Sequence, residues 1–267
     1  MKKVIFLSVL LAGSIGAEAQ SGKAAKAAFD SKPFDTTLEA LPVGYRGHDC
    51  SAIATVLKKQ KTDKDEMETT DEYKARMENM SSIKIGPNLT VGDTIALRAE
   101  IEPERGVKYM ADARMLYIMS QPQPSMMYVN EKGPGSNWVS LARTEGRERR
   151  YQASNAYGAT VTVTSRNFKT CAVAFTNLGH AAHESIDVYL SDVGADVARR
   201  AKAGVSFFYV GKLERPFIKA VYESSLPKID FPFESHWTGD AVVIRLEQAW
   251  AVEAKTGEVL GKREFSH

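Results

Sequence analysis

From Asn88 onward the apolar residues recur with a period of two, and a fold for this chain must satisfy that alternation first. TIALRAEIE, VKYMADARMLYIM, NWVSLAR, RRYQAS, ATVTVTS and FKTCAVAFT are β-branched or aromatic-rich runs separated by Gly, Pro, Asn and Glu-Gly turn signals. In ATVTVTS the threonines alternate with Val161 and Val163, which predicts a half-buried strand with one wet face. A further strand, VSFFYVG, begins at Val205. Near the C-terminus AVVIRLEQAWAV places Val242, Ile244, Leu246, Trp250 and Val252 on one face and Arg245 and Glu247 on the other. Lys255-Thr256-Gly257-Glu258 then turns the chain into VLGKREF, so a β-hairpin is expected there.

Helical spacing is confined to three short stretches. Asp49 is a good N-cap, and Cys50, Ile53, Ala54 and Leu57 fall at i, i+3, i+4 and i+7, predicting a helix to about Lys59 with Cys50 on its inward stripe. Thr69 and Glu72 have capping-box spacing, predicting a helix from Thr70 to Met80 with Tyr73, Met77 and Met80 inward. DVGADVARRAKAG predicts a third helix capped by Asp192 and stopped by Gly204, with Arg199, Arg200 and Lys202 as cations near its C-terminus. Strands joined by short turns pair antiparallel, so the expected class is α+β: a mainly antiparallel β-sheet with about three short helices. No repeat or heptad interrupts this reading.

The N-terminus has a separate logic. Lys2 and Lys3, the apolar run from Val4 to Ala12 and Ala17-Glu18-Ala19 form the charged, apolar and small-residue pattern of a secretory signal, with cleavage after Ala19. The apolar run is well short of the roughly 20 residues that span a bilayer, and no transmembrane segment is expected in the mature chain. Leu11-Ala12-Gly13 is followed by Ser14 where a lipoprotein signal needs cysteine, so a soluble product, periplasmic or secreted, is expected. Residues 20–37 read as a flexible lead-in and residues 38–267 as a single α+β domain. Cleavage removes Lys2, Lys3 and Glu18 and moves the net charge from +2 to +1, a balance that offers nucleic acid no general attraction.

Export also bears on the only two cysteines, Cys50 and Cys171. In FKTCAVAFT, Cys171 shares a strand face with Val173 and Phe175, so both sulfurs are expected to point inward. Three fates are open to Cys50: a disulfide with Cys171, a helix-activated nucleophile with His48 as its base, or an unpaired core thiol. The apolar spacing favours the first.

Four stretches carry a resemblance. EMETTDEYKARM is similar to the E-F-E-T-x-x-E-Y-x-x-R signature of a family of uncharacterised exported bacterial proteins, with Met67 in place of phenylalanine. NAYGATVTVT, VGKLERPF and AWAVEAKTGEVL add to it, so the likeness runs from about Lys58 to Leu260. The resemblance implies export and one coherent domain, and no activity.

Chemistry-bearing patterns are few. Walker, G-x-S-x-G, G-x-G-x-x-G and EF-hand motifs are absent from the sequence, and no cofactor is expected. His180 and His183, three apart beside Glu184, are secondary metal candidates, but NLGHAAHES reads as a surface loop without zinc-helix spacing. Arg143, Arg147, Arg149 and Arg150 surround Glu145-Gly146 at the tip of an expected hairpin. They are candidates for binding an anion or an acidic partner, or charges that guard an edge. The loop Gln121 to Asn137 presents Met126, Met127 and Tyr128 as a candidate partner surface. The reading is a non-catalytic binding or interaction module of the cell envelope, whose partner is a protein or an anionic envelope component. The alternatives are a hydrolase acting on an envelope polymer, and a structural accessory of a secretion or surface assembly.

Overall fold

A computed structural model describes residues 28–120, 127–128, 137–178 and 186–265. In chain order the elements are α1 (Cys50–Leu57), α2 (Thr70–Asn79), β1 (Lys84–Gly86), β2 (Leu89–Thr90), β3 (Thr94–Glu100), α3 (Pro103–Gly106), β4 (Val107–Met110), β5 (Met115–Met119), β6 (Met127–Tyr128), β7 (Asn137–Glu145), β8 (Arg149–Ser154), β9 (Thr160–Phe175), β10 (Asp187–Leu190), α4 (Ala195–Ala203), β11 (Val205–Ser225), β12 (Phe233–Glu253) and β13 (Val259–Glu264). The class is α+β with few short helices. The three expected helices form, and a single turn, α3, is added where Pro103 sets the first helical position. No described helix is long and apolar enough to cross a membrane.

The main sheet runs β3-β11-β12-β9-β7-β6, with β13 beside the second half of β12 and β8 beside the first half of β9. Every pairing in it is antiparallel except β9 with β12, which run parallel. A smaller sheet, β10-β5-β4, lies apart. The principal core fills the space between one face of the main sheet, α1, α2, α4 and the smaller sheet, and includes Leu57, Leu97, Leu116, Ile118, Phe175, Phe207 and Ile244.

Three expectations about strands are corrected. ATVTVTS and FKTCAVAFT are one strand, β9, because Asn167 stays in the ladder and its carbonyl accepts from Gly146 N–H at 2.7 Å. The hairpin expected around Glu145-Gly146 does not form: β7 and β8 lie end to end along the same side of β9, each paired with it and not with each other. Trp250 and Val252 do not share a face with Leu246. Val210 pairs with Gln248 while Gly211 pairs with Leu246, leaving Glu247 as an extra residue. Since side chains alternate with period two, that one-residue bulge sends Trp250 and Val252 to the opposite face. There they join Phe34, Leu41, Ala96, Phe208 and Val210 in a second core.

The second core is closed by residues 28–47, which include the end of the segment read as a lead-in. Phe34 N–H bonds Thr94 O at 2.8 Å, Leu41 N–H bonds Gly257 O at 2.8 Å, and Lys262 Nζ sits 3.8 Å from the Trp250 ring centroid while donating to Thr36 O. Gly257 is required where it stands: φ is +81° and a Cβ there would come within 1.9 Å of Leu41 O. His48, 2% exposed, latches the same strap. Its Nδ1 accepts from Ala96 N–H at 2.9 Å and its Nε2 donates to Lys32 O at 2.8 Å, which sets the neutral tautomer.

The helix ends explain themselves locally. Asp49 caps α1 by accepting from Ser51 and Ala52 N–H, and α2 has the full Thr69–Glu72 capping box. Side chains of the Glu66–Met77 stretch around α2 hold the local structure. Glu68 takes both Arg76 Nε and Nη2 at 2.8 and 2.7 Å, Arg76 also donates to Asp63 O at 3.0 Å, and Tyr73 donates to Thr62 O at 3.3 Å. These contacts clamp the loop between α1 and α2. Asp192 is not the cap of α4: it lies in the left-handed region at φ 59° and pairs with Arg114 at 3.1 Å, and Gly194 occupies the cap position. The cause is buried Val193, whose N–H is held by Arg114 O at 2.8 Å and fixes the loop before the helix begins.

Cys50 and Cys171 form a disulfide that ties α1 to β9, with 6.1 Å between their Cα atoms and a sequence separation of 121. A loop of that size stabilises by roughly 4 to 5 kcal/mol in the chain-entropy account. Replacing both cysteines by serine should lower the unfolding free energy by about 2 to 5 kcal/mol, read by urea denaturation. The Glu68–Arg76 clamp predicts a pH dependence. Hydrogen bonds from Arg76 hold the Glu68 carboxyl down at about 2 against an ordinary 4.5. A lowered carboxylate pKa stabilises fully above its unfolded value and loses that contribution as pH falls through the folded value. Glu68→Gln should therefore be less stable than wild type at neutral pH, and the gap should close as pH falls from 4.5 toward 2.

Candidate functional site

Once α1 buries Cys50, Ile53, Ala54 and Leu57, its next helical stripe has to stand at the edge of the sheet. Ser51, Thr55, Lys58 and Lys59 form one wall of an open recess of about 440 Å³, and Thr144, Lys169, Cys171 and Asp240 form its floor and far side. Three different strands, β7, β9 and β12, supply that floor because Cys171 is opposite both Ala142 and Asp240 in the ladders. Close approach of β9 and β12 at this point depends on Gly239, where a Cβ would lie 1.9 Å from Thr170 O. Lys58 Nζ is 3.0 Å from Asp240, a surface pair worth under about 1 kcal/mol. Among the described residues lining the recess, three lysines meet one acid, so the potential there is positive.

The same sheet face continues away from the recess as a polar track. Alternation puts Asp240, Thr238, His236 and Glu234 of β12 beside Cys171, Lys169, Asn167 and Ser165 of β9. At its end Glu234 accepts from the Tyr151 hydroxyl, from His236 Nε2 and from Ser165 Oγ at 3.1 Å. Those donors, Tyr151 first, hold the Glu234 carboxyl below its ordinary range, and the ionised carboxylate in turn pushes the Tyr151 phenol up. A carboxylate saturated in this way is a poor general acid. The Ser165 hydroxyl is directed at Glu234 and not at the imidazole, so serine, histidine and carboxylate meet here without the hydrogen-bond order of a nucleophilic triad. The arrangement serves as a clasp joining β8, β9 and β12.

The residues singled out in the sequence are distributed differently. Cys50, engaged with Cys171, is no nucleophile, and His48 spends both ring nitrogens on backbone groups. The four arginines are not gathered at a tip. Arg143 lies 5.8 Å from the Phe168 ring on the face opposite the recess, Arg149 lies 5.8 Å from the Tyr151 ring, and Arg150 pairs with Glu148 at 2.8 Å. Arg147 is exposed between them. Glu145 and Glu148 are also tied to Arg166, so this region is mixed in charge. Met127 and Tyr128 form β6, opposite Trp138 and Asn137 of β7. Met126, His180 and His183 lie outside the described residues, as does the expected signal at 1–19.

Lys58, Lys59, Lys169, Asp240, Glu234 and His236 were not grouped from the sequence. The available signal was the alternation in ESHWTGD, which puts Glu234, His236, Thr238 and Asp240 on one strand face. Glu234→Ala should cost about 1 to 3 kcal/mol in urea unfolding at pH 7, since it strands the Ser165 hydroxyl, 7% exposed, and the Tyr151 phenol. Stability equal to wild type would show that the clasp contributes nothing. The chain matches no protein-family model, no curated protein and no solved structure.

Proposed function

We propose that this is an exported, soluble protein of the cell envelope that acts as a non-catalytic binding module and takes an anionic envelope component at the recess between α1 and the main sheet. The observation that carries this reading is the grouping of Lys58, Lys59 and Lys169 with the hydroxyls of Ser51, Thr55 and Thr144 around one open cavity. Ammonium groups supply charge and hydroxyls supply directional donors, a combination suited to carboxylate or phosphate groups borne on a larger polar molecule. The opening admits part of a polymer as readily as a small ligand. The disulfide supports export, since such a bond persists in oxidising compartments, and it also anchors the wall that carries two of the lysines. The resemblance to exported bacterial proteins points the same way.

Co-sedimentation with purified peptidoglycan sacculi, whose stem peptides carry carboxylates, tests the proposal. The wild-type chain should pellet with them at about 0.05 M salt and be released at about 0.5 M, where charges are screened within a few ångströms. Lys59→Glu combined with Lys169→Glu should reduce pelleting by about tenfold or more at low salt, and both side chains are exposed enough to leave folding intact. Pelleting equal to wild type by this variant would remove the recess from the function.

A further inference from the structure

We infer that two hairpin tips at one end of the main sheet, residues 226–232 between β11 and β12 and residues 155–159 between β8 and β9, dock this chain shallowly and reversibly on the surface of a phospholipid bilayer. β9 and β12 run parallel and begin at the same end of the sheet, where Phe233 is opposite Thr164 and Thr164 N–H donates to Pro232 O at 3.0 Å. Ser154 opposite Thr160 and Ser225 opposite Ser235 bring the two connections to that same end. Large side chains there stand in solvent: Leu226 is 77% exposed, Phe231 62%, Ile229 47% and Tyr157 96%. Apolar surface gathered in this way marks a contact with a partner or a membrane.

Backbone hydrogen bonding selects the bilayer. Groups that leave water for the edge of a hydrocarbon layer must already be paired, since lipid tails offer neither donors nor acceptors. In the first tip Lys228 and Phe231 exchange both backbone bonds, at 3.0 and 3.2 Å, and Phe233 N–H donates to Phe231 O at 2.8 Å. Pro227 and Pro232 have no N–H to satisfy. In the second tip Asn155 N–H donates to Ala159 O at 3.0 Å and Gly158 N–H to Asn155 O at 3.1 Å, while the Asn155 side chain accepts from both Tyr157 and Ala159 N–H at 3.0 Å. Each tip closes on itself and turns its apolar side chains outward. Charge points the same way, because the two tips hold Lys228 and Asp230 and no other charged residue. An anionic polymer gains nothing from that balance, whereas zwitterionic headgroups accommodate one charge of each sign. Tyr157 combines an apolar ring with a polar hydroxyl, the build found where hydrocarbon meets water. A protein partner needs a continuous patch of roughly 800 Å² on each side, and hairpin ends present points rather than such a face.

Vesicle flotation tests the docking, using the oxidised chain from Gln20 onward, which contains every described residue and lacks the apolar run from Val4 to Ala12. The wild type should rise with vesicles of phosphatidylcholine alone and of phosphatidylcholine with phosphatidylglycerol, and should stay bound at about 0.5 M salt, where charge attraction is screened. Leu226→Asp combined with Phe231→Asp should lower the bound fraction by about tenfold or more, because an acid replaces each apolar contact. Lys59→Glu combined with Lys169→Glu should float like wild type, which keeps this result separate from that of the recess. Phe231→Trp leaves the tip apolar, and the fluorescence it adds to that of wild type should move to shorter wavelength when vesicles are added. A chain left in solution by both vesicle types assigns the tips to a protein partner and overturns the inference. So do release by salt, flotation of the double aspartate variant at the wild-type level, loss of flotation in the recess variant, or an unmoved emission from the added tryptophan.

Discussion

The ladder between β11 and β12 is the interaction on which the remaining structure depends. It runs from Val205–Glu253 at one end to Ser225–Ser235 at the other, and each flank of it organises a different part of the molecule. β3 docks on the outer side of β11, and β9 and β13 divide the far side of β12 between them. A pair of strands this long could not keep one face buried throughout, since a sheet twists continuously and the cores on its two faces are local. Two interruptions resolve the conflict. Glu247 is inserted opposite Val210-Gly211, and residues 214–217, with Pro216 lacking an N–H to offer, depart from the ladder opposite Val243. The first interruption turns Trp250 and Val252 to the face opposite Leu246, which is why the strap at 28–47 has a core to close.

Charged groups hold the attachments of peripheral pieces to that spine. Arg76 and Glu68 fix the loop between α1 and α2. Arg200 joins α4 to the β12–β13 turn through Glu253 and Glu258, and Glu253 is itself only 4% exposed. Buried acids of this kind are costly unless paired, so these contacts specify position more than they add stability. Lys59 and Lys169 have a different setting: among the described residues they enter no such junction and stand on the rim of an open recess, beside the hydroxyls of Ser51, Thr55 and Thr144.

The disulfide and the recess are linked by construction. Burying Cys50 rotates α1 so that Lys58 and Lys59 stand over the sheet, and Cys171 belongs to both the bond and the floor. Helix, bond and cavity therefore form one unit, whose geometry depends on the covalent tie between segments 121 residues apart.

Local order was legible in the residues themselves. The spacing of Cys50, Ile53, Ala54 and Leu57, the Thr69–Glu72 box, the alternation around Cys171 and the C-terminal hairpin each follow from a helical or strand period within one short stretch, and such periods are properties of neighbouring residues. The tertiary structure alone decided what pairs with what. The parallel register of β9 with β12 joins residues about 70 apart and brings Lys169 to Thr238, Cys171 to Asp240 and Ser165 to Glu234. A single extra residue at Glu247 reversed a face that alternation had assigned, and the end-to-end placement of β7 and β8 on β9 dispersed four arginines that look clustered in sequence. Alternation tells which side chains share a face; strand register, bulge position and neighbour choice depend on the whole packed sheet, where no local period determines them.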